Sequence, residues 1–422
     1  MTLVGDHSTG APTRAEIEAR DAADPLAHLR DRFHVPEGLI YLAGNSLGPA
    51  PVAVFDDMET ALRREWADGL VGSWNNAGWF ALADRLGDRI GALIGAAAGQ
   101  TVACDTTSVN VYKALHAGLS LRPGRTTIVA ESGSFPTDLY VAEGVVAGRP
   151  DVTLLLEGVD GATLEELIDE RTAVVLVNHV DYRTGALRDM AELTRRVHEA
   201  GAVVVWDLCH SAGILPVALD ASNADLAVGC TYKYLNCGPG GPAFIYAARR
   251  HHETLRQPLS GWWGHAAPFA FELGYRPDAG ARRLLCGTQP ILSMRALNAG
   301  LAAIEDVDMA ELRAKSLALT DLFMDLVREP CAAHGAEIVT PQAAMERGSQ
   351  VSITHPDGYA IIQALIARDI VGDFRAPNLM RFGMAPAYLS YRDIHSAAMA
   401  LVEVLESESW RDPRFAARRA VT

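Results

Sequence analysis

Apolar positions follow two patterns that alternate along the chain up to about residue 308. Short runs of consecutive Val, Ile, Leu and Ala residues, bounded by turn residues, are separated by segments in which apolar residues recur every three or four positions. Continuous apolar runs are typical of strands buried on both faces of a parallel sheet. We therefore predict an α/β fold whose mainly parallel sheet is covered by helices on both faces.

The apolar runs mark predicted strands at 126–130, 152–157, 173–180, 202–207, 225–230 and 243–247. The periodic segments mark predicted helices at 52–68, 79–95, 108–119, 163–170, 189–200, 290–305, 309–328, 358–368 and 392–407. In sheets of this kind, ligands bind beyond the carboxyl ends of the strands. We therefore look for functional residues directly after the apolar runs.

The pattern changes after residue 308. A long helix is followed by strand candidates at 336–341 and 349–356, another helix, and the segment 370–386 before a last helix. This order predicts a smaller α+β domain. We divide the chain into an N-terminal segment, residues 1–50, a large domain, residues 51–308, and a small C-terminal domain, residues 309–422.

The charge balance favours a protein that acts on small molecules. The chain has 52 acidic and 37 basic residues, a formal net charge of −15, whereas proteins that bind duplexes present basic patches. No apolar stretch reaches the ~18 residues that suggest a membrane span, and the N-terminus lacks the pattern of a secretory signal. We expect a cytoplasmic protein that binds neither nucleic acid nor membrane.

The cysteines are too irregularly spaced for a disulfide framework; they are Cys104, Cys209, Cys230, Cys237, Cys286 and Cys331. A zinc site could be drawn from Cys209, His210, Cys230 and Cys237. Such a site would lack the closely spaced ligand pairs of structural zinc sites. We therefore expect reduced thiols and no metal.

Lysine is rare in this chain, and one lysine follows a predicted strand. Only three of the 37 basic residues are lysines: Lys113, Lys233 and Lys315. A guanidinium stays protonated, whereas the amine of Lys233 can lose its proton and form a Schiff base. Asp207 ends the preceding strand, where a buried carboxylate needs a cation or hydrogen-bond donors. An aspartate for a pyridinium nitrogen and a lysine for a Schiff base are what pyridoxal phosphate requires of a protein.

Two further segments would complete a site for this cofactor. Thr106, Thr107 and Ser108 open a predicted helix, where free backbone N–H groups and the helix dipole favour an anion. Phe135 and Asp138 follow the first predicted strand and offer a flat apolar ring and a polar group. Helix capping or core packing explains each feature alone. Their joint occurrence, each after a strand of one sheet, favours a cofactor site.

In the order and local sequence of these segments, the chain resembles the bacterial kynureninases, which are fold-type-I pyridoxal-phosphate enzymes. The resemblance spans most of the chain and is carried by 41-YLAGNSLGPAP-51, 135-FPTD-138, 179-HVDYRTG-185, 207-DLCHSAG-213, 231-TYKYLN-236, 261-GWWGH-265 and 286-CGTQPIL-292. It implies a seven-stranded, mainly parallel sheet with a smaller C-terminal α+β domain, bound pyridoxal phosphate, and a homodimer.

The resemblance also implies roles for single residues. Lys233 would form the Schiff base, Asp207 would face the pyridine nitrogen with His210 beside it, and Phe135 would stack on the ring. The other implied cofactor contacts are Thr107, Ser108, Asp138, Asn178, Tyr232, Trp262 and Thr288. Thr288 would reach the site from the 286–288 loop, within one chain or across a subunit interface.

The implied reaction is the hydrolytic Cβ–Cγ cleavage of L-kynurenine to anthranilate and L-alanine, a step of tryptophan catabolism. Arg381 would bind the α-carboxylate through its bidentate fork, and Tyr232 is the candidate acid–base group. Ser46, Trp74 and the Gly287–Thr288 pair would line the pocket for the aromatic ring. A 3-hydroxy or otherwise ring-substituted kynurenine remains open as the substrate.

Two alternatives come from other classes of protein. Cysteine desulfurases and selenocysteine lyases share the fold but usually have His before the lysine, where this chain has Tyr232. They also use a cysteine on a mobile late loop, whereas Cys331 lies in 329-EPCAAHG-335, which is better explained as a helix end. The second alternative is a non-catalytic protein that kept the fold, which the intact Asp207–Lys233 pair disfavours.

Overall fold

A seven-stranded sheet forms the centre of the fold in this computed structural model, which describes residues 12–418. The strands are β1 (Phe33–His34), β2 (Ile40–Tyr41), β3 (Ala50–Pro51), β4 (Thr101–Ala103), β5 (Thr127–Glu131), β6 (Thr153–Glu157), β7 (Thr172–Asn178), β8 (Val203–Asp207), β9 (Leu226–Gly229), β10 (Phe244–Ala247), β11 (Glu337–Ile338), β12 (Gln350–Thr354), β13 (Ile370–Val371), β14 (Asp373–Arg375) and β15 (Leu379–Gly383).

The central sheet has the order β4-β10-β9-β8-β7-β5-β6. Strands β6, β5, β7, β8 and β9 run parallel to one another, and β10 is antiparallel to both β9 and β4. The predicted mainly parallel, seven-stranded α/β sheet is therefore confirmed. Strand β4 was not among the predicted strands, because three residues between two helices carry no periodic signal.

The helices are α1 (Arg14–Ala22), α2 (Ala53–Thr60), α3 (Ser73–Asn76), α4 (Leu82–Leu93), α5 (Thr107–Leu121), α6 (Pro136–Gly148), α7 (Leu164–Leu167), α8 (Met190–Glu199), α9 (Ile291–Ala302), α10 (Met309–Ala333), α11 (Gly358–Ile366) and α12 (Tyr391–Glu406). Helix α6 was not among the predicted helices; Pro136 stands in its first turn, where proline needs no hydrogen-bond partner. Among residues 12–418 no helix is both long and apolar enough to cross a bilayer.

Side-chain alternation along the buried strands decides which polar residues reach the α5 face of the sheet. A Cβ on Gly118 of α5 would lie 2.5 Å from Val174 and 3.2 Å from Val203, so this glycine lets the helix pack directly on β7 and β8. Since alternate residues of a strand share a face, the last residues of the two strands, Asn178 and Asp207, point to the same side as these valines. They are also paired across the two strands.

The C-terminal part forms a four-stranded antiparallel sheet of order β11-β12-β15-β14, with α10 packed against α12. This agrees with the expected small α+β domain. The N-terminal segment joins it, because β2 pairs with β13 and α1 contacts α12. The proposed division at residues 50 and 308 remains a prediction, and the first 11 residues of the N-terminal segment lie outside the described chain.

A buried ion pair fastens the N-terminal segment to the small domain. The ammonium of Lys315 lies 2.6 Å from a carboxylate oxygen of Asp24 and donates to the backbone oxygen of Pro386 at 2.7 Å. The two charged side chains are only 6% and 4% exposed. Burial of both charges makes each one costly to leave without the other.

Replacing Lys315 by methionine should therefore destabilise the protein, because Asp24 keeps its charge and loses its cation. Loss of one partner of a buried pair costs about 3–5 kcal/mol of unfolding free energy, which urea denaturation followed by circular dichroism would measure. As a control, Arg14→Ala breaks a pair whose side chains are 88% and 44% exposed. That change should cost about 0.5 kcal/mol or less. Equal effects of the two substitutions would contradict the account.

Candidate active site

A cavity opens at the carboxyl ends of the parallel strands, where the sequence placed the chemistry. The structure brings nine of the predicted site residues to its wall: Thr107, Ser108, Phe135, Asp138, Asn178, Asp207, His210, Tyr232 and Lys233. Each follows or ends a strand, or begins a helix that follows one. The agreement arises because parallel strands deliver their carboxyl ends to one edge of the sheet.

Lys233 points into this cavity and contacts a neutral imidazole. Its Nζ lies 2.9 Å from Nε2 of His210. Burial, together with the charges of Lys233 and Arg381, holds the pKa of His210 well below its ordinary value. His210 therefore accepts a hydrogen bond from the amine without competing for its proton. The amine is held by the turn after β9, in which Asn236 N donates to the Lys233 carbonyl at 3.1 Å.

Two carboxylates lie side by side at the inner end of the cavity. Asp207 is 6% exposed and accepts a hydrogen bond from Cys209 N at 2.6 Å; Asp138 is 1% exposed and accepts one from Asn178 Nδ2 at 3.1 Å. Burial and the neighbouring charge of Asp207 raise the pKa of Asp138 well above its usual range. Asp138 therefore holds a proton beside the Asp207 carboxylate. A buried anion at this position suits a protonated ring nitrogen.

The N-terminus of α5 also lines the cavity. Thr106 is its N-cap and accepts a hydrogen bond from Val109 N at 3.4 Å. Thr107 and Ser108 form the first turn and line the cavity. The backbone N–H groups of a first helical turn lack intrahelical acceptors, and the helix dipole adds positive potential. Together with the two hydroxyl groups, this end suits a phosphate group.

Phe135 adds an aromatic ring to the cavity wall. It precedes α6 and keeps 43% of its surface exposed, although it is a large apolar side chain. Its ring meets the edge of the Tyr182 ring at 5.2 Å, and Lys233 Nζ lies 6.0 Å from its centroid. An exposed ring beside a reactive amine offers a face on which a flat cofactor can stack. Carboxylate, amine, ring and anion site thus match the parts of pyridoxal phosphate.

Arg381 reaches the site from the small domain. It is 2% exposed in β15 and lies opposite Asp373, whose carboxylate accepts from Nε at 2.7 Å. Its Nη1 donates to the backbone oxygen of Tyr182 at 2.7 Å, and its Nη2 donates to Ser46 Oγ at 3.1 Å. Arg375 also donates to Ser46 Oγ, at 3.0 Å. Two guanidinium groups thus surround one carboxylate, and the excess positive charge suits an anionic substrate.

Six predicted residues are not among those that line this cavity. Arg381 adjoins it through its hydrogen bond to the Tyr182 backbone oxygen, and Ser46 contacts Arg381. The other four lie elsewhere in the chain. Trp74 and Trp262 instead pack on Trp263, with ring centroids 5.2 and 4.7 Å apart. Gly287 and Thr288 lie exposed on the surface. The ring of Trp262 belongs to this aromatic cluster, and its role as a cofactor contact remains a prediction.

The cavity also contains residues that sequence reasoning missed, namely Thr137, Val180, Tyr182 and Cys209. Tyr182 lies inside the segment 179–185, and Cys209 stands between two predicted site residues, so a strand-end rule alone could have found both. Of the cysteines considered for a zinc site, Cys209 and Cys230 are in contact, since Cys230 N donates to Cys209 Sγ at 3.2 Å, whereas Cys237 Sγ donates to Ser293 O at 3.5 Å. Within residues 12–418, no three or more His, Cys, Asp or Glu side chains form a group that could hold a metal ion.

Comparisons with known proteins agree with this geometry. Residues 312–401 match the family model of the kynureninase C-terminal domain. The chain is 50% identical over 415 residues to a kynureninase from Burkholderia pseudomallei strain 1106a, and 49% identical over 415 residues to one from Pseudomonas fluorescens. Each comparison covers 97% of this chain and 100% of the relative.

Solved structures share the fold at lower sequence identity. A cysteine desulfurase from Thermococcus onnurineus NA1 has a TM-score of 0.73 at 19% identity, covering 94% of this chain and 100% of its own. A C-DES protein with glycine covalently linked to its pyridoxal-phosphate cofactor has a TM-score of 0.74 at 16% identity, covering 89% and 99%. These similarities confirm the fold-type-I architecture.

The wall behind the cavity contains a histidine that should make stability depend on pH. His179 packs on Trp206 at 5.8 Å, on the sheet face opposite the cavity, and burial lowers its pKa to about 4. Because this folded pKa lies below the unfolded value of about 6.5, the unfolded chain takes up the proton first as the pH falls. The contribution of His179 therefore lowers stability progressively between about pH 6.5 and pH 4.

We expect His179→Phe to remove this contribution while keeping a ring against Trp206. Over that pH window the variant should lose about 3 kcal/mol less unfolding free energy than the parent protein, which corresponds to the shift in pKa. Urea denaturation at a series of pH values would measure the difference. If the unfolding free energies of the two proteins changed equally with pH, His179 would not titrate in this way.

Proposed function

The chain belongs to the kynureninase family, and we propose that its cavity binds pyridoxal phosphate and cleaves L-kynurenine hydrolytically to anthranilate and L-alanine. The observation that carries the proposal is the convergence of Lys233, Asp207 and the N-terminus of α5 on one cavity. When bound, pyridoxal phosphate supplies an electron sink for carbanions formed next to the substrate nitrogen.

Different residues of the cavity would bind different parts of the cofactor. Asp207 would pair with the protonated ring nitrogen, and the neighbouring Asp138, whose pKa is raised, would keep its own proton. Thr107 and Ser108 bind the phosphate at the helix N-terminus. Phe135 stacks on the ring.

Lys233 and Tyr232 are the groups that move protons. Lys233 would hold the cofactor covalently, and its free amine would take the proton from the substrate Cα. Its neighbour His210 stays neutral and orients the amine. Burial and the nearby thiols of Cys230 and Cys209 raise the pKa of Tyr232, so this phenol keeps its proton at neutral pH. Tyr232 therefore acts as an acid and protonates the carbon that becomes the methyl group of L-alanine.

Arg381 binds the α-carboxylate of the substrate. Asp373 and the Tyr182 carbonyl fix the plane of its guanidinium before substrate arrives, so little side-chain freedom is lost on binding. Ser46 contacts both Arg381 and Arg375, which links the N-terminal segment to the carboxylate site.

A homodimer would complete the site. Apolar side chains are exposed along the segments 52–71 and 259–275, among them Phe55, Trp66, Val71 and Phe271. Exposed apolar patches of this kind mark interaction surfaces. A second copy that covers them would bring its Trp74, Trp262 and the Gly287–Thr288 pair towards the cavity. We also propose that these residues, which would line the pocket for the aromatic ring, make the protein prefer L-kynurenine over its 3-hydroxy derivative.

The structure does not favour a cysteine desulfurase activity. Cys331 is 1% exposed inside α10, which continues to Ala333, so its thiol is not on a mobile loop. Tyr232 precedes the lysine in place of the usual histidine.

The six cysteines are free, which supports an enzyme that works in the reducing cytoplasm.

Lys233→Ala should abolish turnover, because no other amine lines the described cavity. Release of fluorescent anthranilate from L-kynurenine measures turnover, and circular dichroism shows whether the variant is folded. The parent protein should have a higher kcat/KM for L-kynurenine than for 3-hydroxy-L-kynurenine. Turnover that survives in a folded Lys233→Ala protein would rule out the assigned role of this lysine.

Mixing two inactive variants tests the shared site. A Lys233→Ala chain and a Trp262→Ala chain, unfolded and refolded together, should form heterodimers with one intact site. Random pairing leaves about a quarter of all sites intact, so activity should rise well above the mean of the separate variants. Lys233→Ala mixed with the K233A/W262A double variant is the matched control and should stay inactive. No rise in the first mixture would place Trp262 outside the partner's site.

A further inference from the structure

A second rare lysine is buried beside the phosphate end of the cavity. The side chain of Lys113, in α5, is 0% exposed. Its ammonium pairs with the carboxylate of Asp105 and donates to the backbone oxygen of Leu284 at 2.6 Å. Burial alone would lower the pKa of Lys113, but the neighbouring Cys104 and Asp105 hold it above its ordinary value. The buried amine therefore remains a cation.

Its partner Asp105 stands where a negative charge works against anion binding. Asp105 comes directly before Thr106, the N-cap of α5, and has a left-handed backbone with φ of 50°. The next three residues, 106–108, all line the cavity. A phosphate group at this helix end carries nearly two negative charges. An unpaired carboxylate one residue away would oppose the favourable potential of the helix N-terminus.

The same ammonium also fixes a segment outside the cavity. Leu284, whose carbonyl it binds, ends a short helical turn, Gly280–Leu284, and Cys286 two residues later accepts a hydrogen bond from Trp263 N at 3.0 Å. A Cβ on Gly261 would lie 2.2 Å from the Cys286 carbonyl oxygen, so the two segments touch directly. Lys113 thus joins the phosphate turn to the segments that carry Trp262 and Thr288.

We propose that Lys113 is a positioning residue for the cofactor phosphate: it neutralises Asp105 and holds the turn 105–108 in the conformation that accepts the anion. The inference rests on the proposed cofactor site but assigns a role to a residue that does not line the cavity. Arginine would not serve as well, because a compact ammonium with three donors fits a carboxylate and a carbonyl inside a closed space.

The test compares pyridoxal phosphate with pyridoxal, which lacks the phosphate group. Both are titrated into cofactor-free protein, and binding is followed by absorbance. Lys113→Met should weaken pyridoxal phosphate binding at least about tenfold, the effect of one unit charge at about 10 Å in a medium of effective dielectric constant about 20. Pyridoxal binding should change much less. The selective loss distinguishes an effect on the phosphate from general damage to the fold.

Removing the carboxylate as well should restore binding. The K113M/D105N double variant should bind pyridoxal phosphate nearly as tightly as the parent protein, because neither charge remains. The Asp105→Asn variant should prefer pyridoxal phosphate over pyridoxal at least as strongly as the parent protein does. Asparagine tolerates the left-handed backbone at this position. This variant keeps the test decisive if Lys113→Met fails to fold.

Three results would overturn the proposal. Equal weakening of both ligands by Lys113→Met would show a general structural role. A double variant as weak as the single variant would exclude charge neutralisation. If Asp105→Asn weakened the binding of pyridoxal phosphate more than the binding of pyridoxal, the Asp105 carboxylate would favour the phosphate instead of opposing it. Failure of the parent protein to bind pyridoxal phosphate would instead refute the proposed function, and the inference with it.

Discussion

The buried negative charge of Asp207 is the constraint on which the rest of the site depends. It lies at the end of β8, is 6% exposed, and accepts a hydrogen bond from Cys209 N. A second carboxylate, Asp138, remains protonated beside it. A protein tolerates a buried carboxylate of this kind when a nearby cation compensates its charge. In the proposed function, that cation is the protonated ring nitrogen of the bound cofactor.

The small domain contains a second buried charged group, which also needs an opposite charge beside it. Arg381 is 2% exposed and already hydrogen-bonded to Asp373, so its guanidinium is both compensated and fixed in place. Arg375 adds a further positive charge beside Ser46. In the proposed function, Asp207 would hold the ring nitrogen of the cofactor, whereas Arg381 and Arg375 would attract the carboxylate of the substrate.

Much of the large domain could be predicted because its signals are local. Continuous apolar runs located the parallel strands, and their carboxyl ends located Asp207, Asn178 and Lys233. Strand β4 and helix α6 were missed, since one is three residues long and the other begins at a proline that also suits a loop. The partners of Arg381 could not be predicted, because they depend on the register of β14 against β15 and on contacts more than 300 residues apart in sequence.

The placement of Trp74, Trp262, Gly287 and Thr288 shows a different limit. Their sequence segments match the resemblance, yet none lines the cavity in its own chain, since local sequence cannot say which copy of a chain a residue serves. Reduction of the cofactor-bound protein with a hydride reagent tests the central claim most directly. The account predicts a single pyridoxyl group on the peptide that contains Lys233, found by mass spectrometry. A protein that takes up no cofactor, or one labelled at Lys113 or Lys315 instead, would contradict it.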